Sequence, residues 1–174
     1  RSGAKKVGEF LAGHLTKGNQ VAVLEGKTTA FNGIQRKLGF EEAMKAAGMK
    51  LVVFTAKHHD GFCMFDSKYT DYKITSKETP FSVNPRANVT KEIFNAFRAE
   101  GIWAGAYFSK PDWHSEYYWD PKFPPLDRNV NYDPGEHPEK WEKFVQFTHN
   151  QIMELMTDYG KIDILWLDGG WVAK

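Results

Sequence analysis

The sequence predicts an α/β fold built from four parallel βα units. Three observations carry that prediction. Four short apolar runs, at residues 21–24, 51–54, 102–108 and 162–167, lack polar alternation and read as strands buried on both faces. Segments with helical apolar spacing separate them. Long polar and aromatic loops follow the second and third runs, from about residues 57 and 109, and such loops in a compact domain usually carry function. Strands alternating with helices imply a parallel sheet with right-handed crossovers. Two architectures fit: half of a (βα)8 (TIM) barrel, or an open doubly wound sheet. Both put function at C-terminal strand ends.

Residues 5–15 carry Val7, Phe10, Leu11 and Leu15 at helical spacing, with Gly18-Asn19 beyond them. Residues 31–47 read as a second helix, with Ile34, Leu38, Ala43, Met44 and Ala47 on its apolar side and Gly48 as its stop. Pro80 and Pro85 exclude a central strand from loop 58–88. Asn88 or Thr90 is expected to cap a helix running to Glu100, with Ile93, Phe94 and Phe97 facing inward and Gly101 ending it. Loop 109–136 holds Pro111, Pro121, Pro124, Pro125 and Pro134. Pro138 opens the longest helix, where its missing N–H costs nothing. Trp141, Phe144, Val145, Thr148, Ile152, Leu155, Met156 and Tyr159 form the expected stripe, and Gly160 ends it.

The 174 residues suit one domain, large enough for a core without staples. Twenty-three basic and 22 acidic residues leave no charge field for nucleic acid and no polybasic membrane anchor. No run approaches a membrane span, and the N-terminal residues lack the apolar core of a signal peptide. Localisation is therefore left open. Residue 1 is not Met, so a processed product or an excised piece is expected. Cys63 is the only cysteine, which excludes an intrachain disulfide. Six Trp, seven Tyr and thirteen Phe fit either a sugar-binding cleft, because sugar C–H faces pack on rings, or an aromatic core.

The chemistry concentrates at strand ends. Asp168 follows the last apolar run and precedes Gly169-Gly170, which puts a carboxylate at the sheet's C-terminal lip. Asp-Gly also simply starts turns. Trp166, two residues earlier, should share the face of Asp168 and help keep the carboxylate dry. Asp163 lies at the opposite lip, where a capping or surface role is expected. His58 and His59 can reach one ligand only if their strand has ended, since adjacent strand residues point to opposite faces. His58-His59-Asp60 is a poor spacing for metal ligands, so no metal and no cofactor is expected. Tyr107 ends the third strand. Trp113 and His114 follow in the loop, at the cleft rim or away from it.

Two resemblances run through these residues. The segments 54–62 (FTAKHHDGF), 65–72 (FDSKYTDY), 105–109 (GAYFS), 111–114 (PDWH) and 165–170 (LWLDGG) together resemble the α-L-fucosidases of glycoside hydrolase family 29, over about residues 51–172. Residues 18–26 (GNQVAVLEG) and 36–48 (RKLGFEEAMKAAG) resemble periplasmic sugar-binding proteins of the ribose type. The simplest expectation is a single-domain, deliberate fragment chimera: residues 1–50 as a binding-protein unit, residues 51–174 as a fucosidase half-barrel. A divergent natural fragment is the alternative.

The fucosidase resemblance implies a retaining mechanism with Asp168 as nucleophile. It implies that His58 and His59 hydrogen-bond fucose hydroxyls, for which a neutral imidazole offers one donor and one acceptor. Tyr107 and Trp166 take substrate contacts by the same resemblance, although core packing also explains Tyr107. It further implies an acid/base carboxylate from later in the chain than this sequence runs, and a His-Trp-Gly after the first strand that is absent. Glu25 and Arg36 inherit no sugar grip from one βα unit. We therefore expect an inert chimera, with residual fucosidase activity or weak monosaccharide binding as alternatives. Bare strand edges lead us to expect a homodimer.

Overall fold

The computed structural model describes residues 2–14, 42, 43, 46, 48 and 50–169. The predicted first strand at 21–24, most of the second helix, Glu25 and Arg36 lie outside the described residues.

Three parallel strands form the described sheet: β1 (Leu51–Lys57), β2 (Trp103–Ser109) and β3 (Ile164–Asp168), in the order β1-β2-β3. Helix α1 spans Ser2–His14, α2 Val89–Ala99 and α3 Pro138–Asp158. The α2 crossover links β1 to β2, and α3 links β2 to β3. Loop 58–88 contains one short 3-10 turn at Pro80–Val83.

Strand pairing explains where the core sits. Val52 and Phe54 lie beside Ala104 and Ala106, and all four are buried on one face. The small Ala side chains leave room for α2, whose Ile93, Phe94 and Phe97 fill that space. Phe94 is fully buried and meets Phe54 edge-on at 6.3 Å between ring centroids. Burying such a ring contributes about 1.5–3 kcal/mol. Leu155 and Tyr159 from the end of α3 close the cluster. Asn88 caps α2 by accepting from the Lys91 N–H, while the Thr90 hydroxyl donates to Met64 O and ties the preceding loop down.

The strands do not all meet expectation. β3 is not buried on both faces: Trp166 and Leu167 are 48% and 46% exposed. Helix α2 packs chiefly on β1 and β2, and among the described residues β3 reaches the core cluster through Leu165 alone. The α3 stripe keeps Phe144, Thr148, Leu155 and Tyr159 of the predicted one but widens to take in Gln151 and Glu154. Phe144, Thr148, Gln151, Glu154 and Leu155 are buried, and Met156 is 41% exposed. Of the three polar residues buried there, Gln151 and Glu154 face inward onto buried polar partners. On α1, Phe10 is 65% exposed rather than inward-facing.

Asp163 extends the sheet backwards. Its N–H donates to Ala104 O and its carboxylate accepts the Ala104 N–H, so it pairs with β2 as a short strand would. Among the described residues no helix is long and apolar enough to cross a membrane.

Candidate active site

The three strand ends converge on Asp168. In the β2–β3 register Tyr107 lies beside Trp166, and Ser109 beside Asp168. Alternation therefore puts Tyr107, Ser109, Trp166 and Asp168 on the face away from α2. The Tyr107 hydroxyl donates a very short hydrogen bond to Asp168 Oδ2 and lies 3.3 Å from Ser109 Oγ. Asp168 Oδ1 accepts the Gly169 N–H at 2.7 Å.

β1 ends at Lys57, so His58 and His59 are freed from strand alternation. Their rings lie 4.3 Å apart. His58 stacks on Tyr107 at 5.8 Å with planes 10° apart. His59 Nε2 is 3.7 Å from Asp168 Oδ2. Four of the five sequence-derived site residues, His58, His59, Tyr107 and Asp168, are thereby joined by direct contacts. Trp166 shares the face beside Tyr107 with its side chain open to solvent.

Electrostatics sorts these groups into charged and neutral. The Tyr107 hydrogen bond holds the Asp168 carboxyl below its usual pKa, helped by the Gly169 N–H and both imidazoles and opposed by burial. Burial lowers the His59 pKa, His58 adds to that, and Asp168 opposes it. The Tyr107 hydroxyl is pushed up to about 12, first by burial and then by its bond to Asp168. At neutral pH the site thus holds an ionised carboxylate, a neutral imidazole at His59 and a protonated phenol. The carboxylate is not dry, as the sequence reading expected: its side chain is 37% exposed.

The folded-state pKa of Asp168 lies below its unfolded value, so its contribution to stability is complete above the ordinary carboxylate pKa. That contribution is lost as pH falls through the lowered value. Tyr107→Phe is expected to raise the Asp168 pKa toward normal and shrink this acid-side loss. Carboxyl-carbon NMR titration of Asp168 in both proteins measures the change, and an unmoved pKa would refute the role given to the phenol.

Sequence reasoning missed what lies beneath. Lys57 is fully buried, with Nζ 2.9 Å from Asp112 Oδ2 and 3.1 Å from Gln151 Oε1. Glu154 accepts from the Ser67 hydroxyl and the Lys68 N–H, both at 2.8 Å. Cys63 joins this layer, its thiol pushed up to about 12 by burial and so not a nucleophile. The available signal was a lysine closing an apolar strand and polar residues at helical spacing on α3. Trp113 and His114 also find places: Trp113 lies 5.3 Å from His59, and His114 stacks on Tyr72 at 4.0 Å. Among the described residues no group of three or more His, Cys, Asp or Glu side chains is arranged to hold a metal ion.

A family model described as alpha-L-fucosidase matches residues 37–174. The chain belongs to that family. It is 34% identical over 125 residues to alpha-L-fucosidase 1 of Arabidopsis thaliana, a match covering 72% of this chain and 20% of that protein. A solved structure of alpha-L-fucosidase isoenzyme 1 from Paenibacillus thiaminolyticus is 41% identical with a TM-score of 0.57, covering 74% of this chain and 29% of that one. The chain therefore spans about a fifth of the length of its first curated relative and under a third of this solved one. A second kinship appears over 52 residues, which are 52% identical to the D-ribose/D-allose-binding protein of Pseudomonas aeruginosa and cover 30% of this chain and 16% of that protein.

Proposed function

We propose that this chain carries the nucleophile side of an α-L-fucosidase site on a hybrid scaffold and lacks full turnover. The observation that supports the first part is the setting of Asp168: an ionised carboxylate at a parallel strand's C-terminal end, gripped by the Tyr107 hydroxyl and bordered by His59. Such a fixed carboxylate suits attack on an anomeric carbon. A neutral imidazole at His59, beside His58, suits pairing with sugar hydroxyls, and the exposed Trp166 ring suits a C–H face. The substrate in this reading is an α-L-fucoside.

Full turnover needs a second carboxyl group about 5–5.5 Å from the first, to protonate the leaving group and then activate water. Among the described residues the groups acting most strongly on Asp168 are Tyr107, Gly169, His59 and His58, and none of these four is a carboxyl group. The 52-residue kinship with a ribose/allose-binding protein supports the hybrid scaffold, with that unit occupying about residues 1–50. Weak monosaccharide binding through His58, His59 and Trp166 is the second reading, favoured by the exposure of His58 and Trp166.

The test is hydrolysis of an aryl α-L-fucoside by a concentrated sample beside Asp168→Ala. Equal background rates are expected. Saturable turnover that vanishes in the variant sinks the inert reading and establishes residual fucosidase activity. Among the described residues β3 pairs only with β2, and this further leads us to propose that two copies pair along its other edge.

A further inference from the structure

We infer that Asp112, held by Lys57, is a positioning residue that sets His59 against Asp168. The inference rests on reading Asp168 as the centre of the site. It starts from a cost: a buried lysine and a buried aspartate are retained only where each satisfies the other. Both side chains are nearly inaccessible, at 0% and 3% exposure. Lys57 Nζ also lies over the Phe108 ring at 4.5 Å, so the cation is enclosed by β2 and α3.

Asp112 spends its two oxygens differently. Oδ2 takes Lys57, while Oδ1 accepts the N–H groups of His114 and Ser115 at 3.1 and 2.9 Å. The second set folds loop 111–115 back on itself. That folded loop then touches each neighbouring strand end. Toward β1, the Trp113 N–H donates to His59 O at 2.9 Å and the indole lies against the imidazole. Gly61, at φ +84°, packs so closely that an added Cβ would stand 2.2 Å from Asp112 Oδ1. Toward β3, the Lys110 N–H donates to Asp168 O at 3.0 Å. There Pro111 presses on Gly169, where an added Cβ would meet Pro111 Cδ at 2.3 Å. One loop, fixed by one carboxylate, thus holds the backbone of His59 on one side and of Asp168 on the other.

The 3.7 Å separation of His59 and Asp168 reads out this clamp, because it couples their titrations. The groups facing His59 are His58, Asp168, Arg128 and Asp60. The His59 pKa is measured by imidazole NMR in the full chain and in Asp168→Asn. The same pair of measurements is repeated in the Asp112→Ala background, the decisive variant, which removes the oxygen that folds the loop. Asp112→Asn serves as the control that keeps an oxygen for the two N–H groups. The direct field of Asp112 cancels in this cycle, so only the His59–Asp168 coupling remains.

In the parent, Asp168→Asn lowers the His59 pKa. In the Asp112→Ala background that drop is expected to vanish, and Asp112→Asn, which keeps the loop oxygen, is expected to retain more of it. A drop of unchanged size, whatever happens to thermal stability, overturns the inference and leaves Asp112 as a structural residue. Should Asp112→Ala leave too little folded protein, Lys57→Met with Asp112→Ala removes the loop oxygen without leaving a buried charge unpaired and is read the same way. Retained coupling in that double variant also overturns the inference. Titration of L-fucose into the parent, followed on the same imidazole signals, separates the two claims. Absence of any fucose response counts against the fucosidase site while the coupling cycle still decides the role of Asp112.

Discussion

Lys57→Ala is expected to lower the stability of the chain by about 3–5 kcal/mol, the usual consequence of leaving one member of a buried ion pair alone. The orphan in this case is Asp112, 2% exposed and enclosed beneath the strand ends. Gln151 Oε1 loses its donor at the same time. The substitution also empties the space under the Phe108 ring that the lysine stem fills. Denaturant titration with linear extrapolation measures the loss. Lys57→Met with Asp112→Asn should recover most of it, because the stem's volume is kept and no buried charge remains unpaired. A Lys57→Ala loss below about 1 kcal/mol would mean that water reaches Asp112, contrary to its burial.

The second large expectation concerns assembly. The parent is expected to sediment at about twice its 19.9 kDa chain mass, and Leu167→Lys at about the chain mass itself. β3 presents ILWLD, five residues without a lysine, a proline or a bulge, the usual guards of an exposed edge. Leu167 sits beside the fully buried Phe108 yet is 46% exposed, as α2 packs chiefly on β1 and β2. A lysine there adds charge to a strand that has none before Asp168 and leaves Tyr107 and the carboxylate on the opposite face. Sedimentation velocity at matched concentrations decides the matter. A monomeric parent removes the proposed pairing.

The sequence was legible where physics repeats. Continuous apolar runs located β1, β2 and β3, and Asn88, Gly101, Pro138 and Gly160 marked helix ends close to where they fall. It also singled out His58, His59, Tyr107 and Asp168, whose side chains the structure brings into contact, because a shared order of short segments points to the same residues even when spacing alone is ambiguous. Trp166 was assigned its face correctly by alternation, but the openness around it depends on neighbours that no local pattern encodes.

The buried polar layer escaped for a related reason. Hydropathy treats Lys57, Gln151 and Glu154 as surface residues, and only their mutual partners reverse that. Gln151 and Glu154 interrupt the apolar stripe of α3, so periodicity passed over them and took in the exposed Met156 instead. A lysine 55 residues from its aspartate leaves no local trace of the pair.

The register shift between Thr55 and Lys57 has a consequence for moving this site between scaffolds. Thr55 pairs with Tyr107, yet Lys57 pairs with Phe108 rather than Ser109, so the strand changes phase within two residues. In an unbroken strand Lys57 would turn toward the face that carries Tyr107 and Asp168. The histidines after it would leave the strand half a pleat out of step. A graft of the His-His-Asp motif therefore fails if it counts residues as though the strand were regular. The phase change, the lysine and the distant loop at 110–115 make up one transferable unit, and a cut anywhere inside it separates a motif from the geometry that gives it meaning.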